Sequence, residues 1–293
     1  MRDTFISTAT DLLTEEPRSA VVLADISASA FDPAAAQHPD RVINVGIREQ
    51  LMIGVAGGLA LTGMRPIVHS YAPFLVDRAY EQIKLDLDHQ DVGAVLVSVG
   101  ASYDRPESGR THMSPQDVAL IDTLENWTIH VPGHAHEVTP ALRAAVRADN
   151  RVYLRLSTIS NAWPQRDAGD LRLLRGDHTP RPLVIAVGPV LDDVLAAVAD
   201  LDVNVAYTNR PRPFDAAGLR ALADSEVILV EPYLAGTSSR VVGETLADRP
   251  HRLLALGVGR TDLRRYGTAA DHARGHGLDA AGLRASITGF LGR

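Results

Sequence analysis

The chain has 293 residues, 45% of them hydrophobic and 22% charged, which is enough apolar material for two ordinary domains and too much for a disordered or fibrous chain. Its formal charge of −7, with arginines scattered and Lys84 the one lysine, argues against a polyanion-binding face and a phosphate-binding Gly-rich loop, while the lack of cysteine excludes disulfides, thiolate nucleophiles and cysteine metal sites. The leading MRDTFISTATDLL has no basic flank or cleavage site, and the weakly polar run from Ile53 to Met64 is too short to span a bilayer, so a soluble, cytoplasmic protein with no membrane or nucleic-acid partner is expected.

Along the chain, Phe5, Ile6, Ala9, Leu12 and Leu13 share one helical face. Strand-like runs follow at Ala20 to Ala24, Pro66 to Ser70, Gly93 to Val99, Trp127 to Val131 and Val152 to Leu156, with amphipathic helical stretches between them. That alternation predicts an α/β fold, a doubly wound and mostly parallel sheet over residues 1–160. From Ser157 to Pro182 the periodicity fades and Pro164, Gly169, Gly176 and Pro180 appear, which places a linker at 161–181. Runs at Leu183 to Val187, Val203 to Ala206, Glu226 to Val230 and Arg252 to Leu256, with helical segments at Leu191 to Ala199 and Ala280 to Leu291, predict a second, smaller α/β domain over 182–293.

In open α/β sheets ligands sit beyond the carboxyl ends of the strands, so polar and aromatic residues just past the strand runs are the candidates: Asp25, Glu49, Tyr71, Phe74 and His112. Glu49 interrupts the apolar, Gly-rich run RVINVGIREQLMIGVAGGLALTG in the first turn of a helix. A first-turn glutamate complementing the helix dipole is the plain alternative. For Asp25 the alternative is a helix N-cap, for Tyr71 and Phe74 core packing, and for His112 a structural histidine.

The segment at 41–63 resembles the pyrimidine-binding domains of the transketolase and deoxyxylulose-phosphate synthase superfamily. The likeness continues in register through GMRPIVHSYAPFLVDRAYEQIKLDL, GRTHMSPQDVALIDTLENWTIHVPGHAHEV and VYLRLS, then more loosely to the end. It implies a thiamine diphosphate pyrimidine-binding fold followed by a transketolase C-terminal domain. It also implies that Glu49 hydrogen-bonds the pyrimidine ring nitrogen and favours the imino tautomer, as a buried carboxyl able to share a proton is suited to do. By the same resemblance Phe74 stacks on the pyrimidine, Tyr71 and Asp25 lie close to the cofactor, and His112 faces substrate oxygens. Arg78 and Glu81 match a helix pattern that serves equally as a surface or subunit-interface pair.

The departures are informative. The family's Gly-Asp-Gly motif is absent, and Gly169-Asp170 and Gly176-Asp177 lack the second glycine, so the Mg2+ and diphosphate ligands are expected on a separate diphosphate-binding subunit. An α2β2 heterotetramer follows, with this chain self-associating as a homodimer. Ser108 replaces an aspartate that holds a donor hydroxyl in transketolases. Of four positions that clamp an acceptor phosphate, Arg2 and Ser29 are retained while Gly100 and Thr158 are not, leaving Arg105 and Arg110 as candidates to compensate. Glu231-Pro232-Tyr233 also departs from the family's acidic pair and histidine. The expected activity is transfer of a two-carbon ketol unit from a ketose to an aldehyde. Acyl transfer or decarboxylation from a 2-oxo acid is the runner-up, and a non-catalytic scaffold subunit is the reading against which Glu49 and Phe74 speak.

Overall fold

A computed structural model describes residues 1–165 and 169–292. Six parallel strands form the first sheet: β1 (Ser19–Leu23), β2 (Val42–Asn44), β3 (Arg65–Tyr71), β4 (Val95–Val99), β5 (Trp127–His130) and β6 (Arg151–Arg155), in the order β2-β1-β3-β4-β6-β5. Side chains alternate across a strand, and the alternation sorts these residues between two cores. Val21, Leu23, Ile67, Val95, Val97, Val152 and Leu154 meet Phe5, Leu12, Val138 and Leu142 from the helices Arg2–Glu15 and Ala135–Arg147. Val22, Val68, Leu96 and Tyr153 face the other way, onto Met52, Ile53, Val118 and Ile121 from the helices Glu49–Leu61 and Asp117–Ile121. Near-continuous apolar strands buried on both faces are what a parallel sheet between helix layers requires.

The second sheet holds β7 (Arg172–Arg175), β8 (Leu183–Val187), β9 (Asn204–Thr208), β10 (Glu226–Leu234) and β11 (Arg252–Val258), in the order β11-β10-β8-β9-β7. Only β7 runs antiparallel, against β9. It falls inside the stretch expected to be a linker, of which residues 166–168 lie outside the described residues. Half-buried at a sheet edge and flanked by arginines, RLLR carries no alternation long enough to read. β2 escaped notice for the same reason, as a three-residue, partly exposed edge strand.

One apolar cluster joins the two sheets, running from Met52 and Trp127 to Leu183, Ile185 and Leu229. Backbone bonds reinforce the junction: Ile129 N–H to Arg212 O (2.9 Å), Val131 N–H to Asn209 O (2.7 Å) and Leu234 N–H to Pro115 O (2.7 Å). Buried Glu137 accepts from Gly133 N–H, Tyr207 Oη, Asn209 Nδ2 and Gln165 N–H, which ties the Ala135–Arg147 helix to β9 and the chain after β6. Two segments after β3, Pro73–Asp77 and Ile83–His89, adopt the wider i→i+5 helical turn, which is frequent at functional sites. The second packs closely on the Glu49–Leu61 helix: a Cβ at Gly57 would come within 2.6 Å of the Asp86 carbonyl oxygen, so glycine is needed there.

Candidate functional site

The carboxyl ends of β1, β2, β3 and β4 open onto one edge of the first sheet, and the sequence-derived candidates gather there. Glu49 begins its helix and is only 1% exposed. Its Oε2 accepts a hydrogen bond from Arg78 Nη1 at 2.8 Å. The Arg78 guanidinium in turn lies over the ring of Phe74, 4.2 Å from its centroid, and Gln50 Nε2 donates to the Arg78 carbonyl at 3.2 Å. Phe74 is carried on the Pro73–Asp77 turn, closed by Arg78 N–H on Pro73 O at 3.0 Å.

Three rings meet at Phe74, the ring under Arg78. Tyr71 and Phe74 have centroids 5.9 Å apart, Tyr71 and His112 5.6 Å, and Phe74 and His112 5.1 Å, all edge to face. Such pairs hold one another in place beyond simple burial. His112 ends the short Arg110–His112 turn, where its Nδ1 is 3.0 Å from Thr111 Oγ1. Structure therefore joins Tyr71, Phe74 and His112 in one ring cluster and links Glu49 to it through Arg78. The helix pattern holding Arg78 and Glu81 pointed equally to a surface pair. Instead, Arg78 reaches Glu49, and Glu81 is exposed.

Gly100, where the family clamp has a histidine, explains how Tyr71 is accommodated. Its φ is +70°, and a Cβ built there would sit 2.6 Å from Tyr71 Cδ1, so the tyrosine ring takes the space a side chain at 100 would need. Arg105 Nη1 donates to Tyr71 Oη at 2.8 Å and pairs with Glu107 through Nε. Arg110 Nη1 is 3.4 Å from Met113 O. Ser108 ends the turn Pro106–Ser108, two residues before the one carrying His112. Thr158, at the other missing clamp position, gives its backbone N–H to Asp104 Oδ2 at 2.8 Å.

The end of β1 makes a second polar group. Asp25, with φ +63°, is locked to the end of β2 by Asn44, whose Oδ1 accepts Asp25 N–H and whose Nδ2 donates to Asp25 Oδ1, both at 3.0 Å. Arg2 Nε donates to Ser27 Oγ at 3.0 Å, and Ser27 Oγ lies 3.0 Å from His69 Nε2. His69 Nδ1 is 2.9 Å from the Val97 carbonyl, which can only accept. The proton therefore sits on Nδ1, Nε2 accepts from the Ser27 hydroxyl, and the hydroxyl oxygen accepts from Arg2. Complete burial holds the neutral imidazole by depressing its pKa to about 4. Ser29 sits two residues beyond Ser27 on an exposed turn. Ser27, His69 and Asn44 were not singled out in the sequence; the pairing of Leu23 with His69 and with Asn44 across the strands is what unites them.

Behind the ring cluster, the segment from Ala101 to Asp117 is pinned at both ends. Asp117 accepts from Arg155 Nε and Tyr153 Oη, each at 2.7 Å, and Arg155 Nη2 reaches Ser102 Oγ at 2.6 Å. Ser102 Oγ donates to the Pro232 carbonyl of the second sheet at 2.6 Å. Burial raises Asp104 to about 6 despite its bonds from Thr158 N–H and Ser157 Oγ, and raises Glu231 to about 7. Among the described residues no group of three or more His, Cys, Asp or Glu side chains is arranged to hold a metal ion.

Comparison with known proteins adds an independent line. Residues 1–161 match the model for the transketolase pyrimidine-binding domain. A 33.6 kDa protein in the fasciation locus of Rhodococcoides fascians is 52% identical, over 98% of this chain and 94% of its own length. One of the subunits of apulose-4-phosphate transketolase from Actinobacillus succinogenes is 30% identical, over 88% of each. With 1-deoxy-D-xylulose-5-phosphate synthase of Leptothrix cholodnii the identity is 32% over 85% of this chain, which spans only 41% of that enzyme. Among solved structures, a split-gene transketolase in an inactive β4 tetramer shares the fold with a TM-score of 0.80, covering 99% of this chain and 97% of that one at 24% identity. By its pyrimidine-binding domain and by subunit-length relatives of this kind, the chain belongs to the transketolase family.

Proposed function

We propose that this chain is the pyrimidine-binding subunit of a split, thiamine diphosphate-dependent transketolase-like enzyme, transferring a two-carbon ketol unit from a ketose to an aldehyde. The observation that carries the proposal is Glu49, a carboxylate withdrawn from water at a helix start and joined through Arg78 to Phe74, whose ring meets those of Tyr71 and His112. A planar group can lie on the Phe74 face and hydrogen-bond Glu49 at the same time, since the Arg78 guanidinium already does so. Thiamine diphosphate, when bound, supplies the carbon nucleophile. Glu49 would hold a proton against the pyrimidine nitrogen, Phe74 would take the ring face, Tyr71 and Asp25 would border it, and His112 would hydrogen-bond substrate oxygens, with Ser108, Arg2 and Ser29 farther along the substrate path.

Mg2+ and the diphosphate belong, in this reading, to a separate subunit in an α2β2 assembly, with this chain also contacting its own copy. Support comes from the subunit-length relative named above and from apolar side chains left in water around the Glu49 helix: Ile47 is 71% exposed, Leu61 62% and Leu51 47%. Residues 1–160 and 182–293 are read as the two domains, joined through 161–181. No helix among the described residues is long and apolar enough to cross a membrane, and a cytoplasmic location is part of the proposal. Similarity to 1-deoxy-D-xylulose-5-phosphate synthase keeps a second reading open, acyl transfer with decarboxylation of a 2-oxo acid.

The test is reconstitution with the diphosphate-binding subunit. Glu49→Gln should assemble normally and lose turnover by at least about a hundredfold, as expected for removal of a positioned proton-transfer group. Normal turnover in that variant would remove the catalytic assignment. Offering a ketose and a 2-oxo acid as rival donors separates the two activities. With matched phosphorylated and unphosphorylated aldehydes, similar kcat/KM values are expected, because Tyr71 fills the space at Gly100 and Thr158 offers no cation.

A further inference from the structure

Within this chain one side chain makes both contacts that the proposed function gives to a pyrimidine ring. Arg78 Nη1 donates to Glu49 Oε2 at 2.8 Å, and the same guanidinium lies over Phe74, 4.2 Å from the ring centroid. Tyr71 and His112 meet Phe74 at steep angles of 87° and 70°, so among the described residues Arg78 is the group seated on the ring. A guanidinium is planar, delocalised and edged with N–H donors; an aminopyrimidine is likewise planar and delocalised, with a donor amino group and ring nitrogens that accept. Either group can stack on the Phe74 face while hydrogen-bonded to Glu49, the guanidinium as donor to the carboxylate and the pyrimidine by sharing the carboxyl proton at a ring nitrogen, but both cannot do so together.

Mobility is built unevenly into the pair. Glu49 is 2% exposed at its side chain, whereas that of Arg78 is 41% exposed. The Arg78 backbone is held, by Gln50 on its carbonyl and by its own N–H on Pro73 O. Its long side chain can therefore swing into solvent by rotamer changes alone, leaving the buried carboxylate and the Phe74 face uncovered. We propose that Arg78 is a latch that closes the pyrimidine subsite by standing in for the ring, and that an incoming aminopyrimidine displaces it. The inference rests on the pyrimidine-site reading of Glu49 and Phe74, and the experiment separates the two.

A latch lowers apparent affinity by the fraction of time the subsite is open, so one closed nine-tenths of the time weakens binding about tenfold. The full chain would be titrated by calorimetry or ligand-observed NMR with the uncharged probe 4-amino-5-hydroxymethyl-2-methylpyrimidine. Arg78→Met, which keeps the stem and removes the planar cation, should bind it about tenfold more tightly than wild type. Raising salt should tighten binding to wild type by loosening the ion pair, and should leave Arg78→Met unchanged, because the probe itself carries no charge. Arg78→Lys should fall between, keeping a charge but losing the stacked plane. Equal or weaker binding by Arg78→Met, or none at millimolar probe, overturns the latch. Adding Glu49→Ala to Arg78→Met must then weaken binding; if it does not, the pyrimidine-site reading has failed, whatever Arg78 does. Matching thermal unfolding of wild type and Arg78→Met shows that the fold is not what changed.

Discussion

Replacing Asp117 with asparagine removes the negative charge from a pair in which neither side chain is more than 1% exposed. Arg155 then keeps its guanidinium beneath the sheet junction with its ion-pair partner gone and only the charge of Asp104, which is not in direct contact, to balance it, while Tyr153 Oη keeps its bond with Ser98 Oγ at 2.8 Å. Breaking a buried pair from one side costs about 3 to 5 kcal/mol, because desolvation of the remaining charge is no longer offset. Asparagine still offers one acceptor oxygen, which favours the lower end, about 3 kcal/mol. At roughly 2–4 °C per kcal/mol for a chain of this size class, calorimetry should show a fall in Tm of about 10 °C. Taking both partners away, as Asp117→Leu with Arg155→Met, should restore much of the loss, since apolar residues of similar volume can replace such a pair at little cost. Because Arg155 also holds Ser102, and residues 102–117 carry Ser108 and His112, loosening of that segment should raise substrate KM in the reconstituted enzyme before unfolding intervenes. A loss below about 1 kcal/mol in Asp117→Asn, or a double variant no better than the single one, would refute the argument that uncompensated charge sets the cost.

Where the chain speaks in long, regular signals, the sequence was legible. β8 and the closing helix Ala280–Leu291 stand at the expected residues, and the strands of the first sheet are displaced by at most two positions, except for the short β2. β10 runs on to Leu234, past the expected end at Val230, because Glu231 and Pro232 look like terminators in a linear reading yet Glu231 is wholly buried beside the junction. Motif spacing led to Glu49, Tyr71, Phe74 and His112 because each ends or follows a strand, or begins a helix, at the sheet's carboxyl edge. Contacts between distant segments left no such trace. Arg78 on Glu49, Arg2 on Ser27 and Ser27 on His69 span 29, 25 and 42 residues, and each depends on strand order or on i→i+5 turns that no periodicity announces. Tyr71 over Gly100 is a further case, since a missing histidine in the sequence becomes a ring-filled space only in three dimensions.

Glu231 should make stability depend on pH in a particular direction. Burial raises its pKa from 4.5 to about 7, its Oε1 has no hydrogen-bond partner among the described residues, and the folded chain therefore binds this proton more tightly than the unfolded one. Below pH 4.5 the group costs nothing; the penalty grows as pH rises to about 7 and then levels at roughly 3 kcal/mol. Denaturant titrations should show Glu231→Gln near neutral at pH 4 and more stable than wild type at pH 8; a difference that does not change with pH would contradict the assignment. Gly100 is the sterner test of how the site is packed. Alanine there must hold φ near +70° and set a Cβ 2.6 Å from the Tyr71 ring, which is held by Arg105 on its hydroxyl and by edge contacts to Phe74 and His112. The backbone part should cost about 1 kcal/mol, and moving the ring should bring the total to about 2 to 3 kcal/mol. Combining Gly100→Ala with Tyr71→Ala removes the collision but not the backbone strain, so a double-mutant cycle should return a coupling of about 1 kcal/mol or more. Additivity within about 0.3 kcal/mol would mean that the ring moves aside freely, and that the space at position 100 remains open to a substrate phosphate after all.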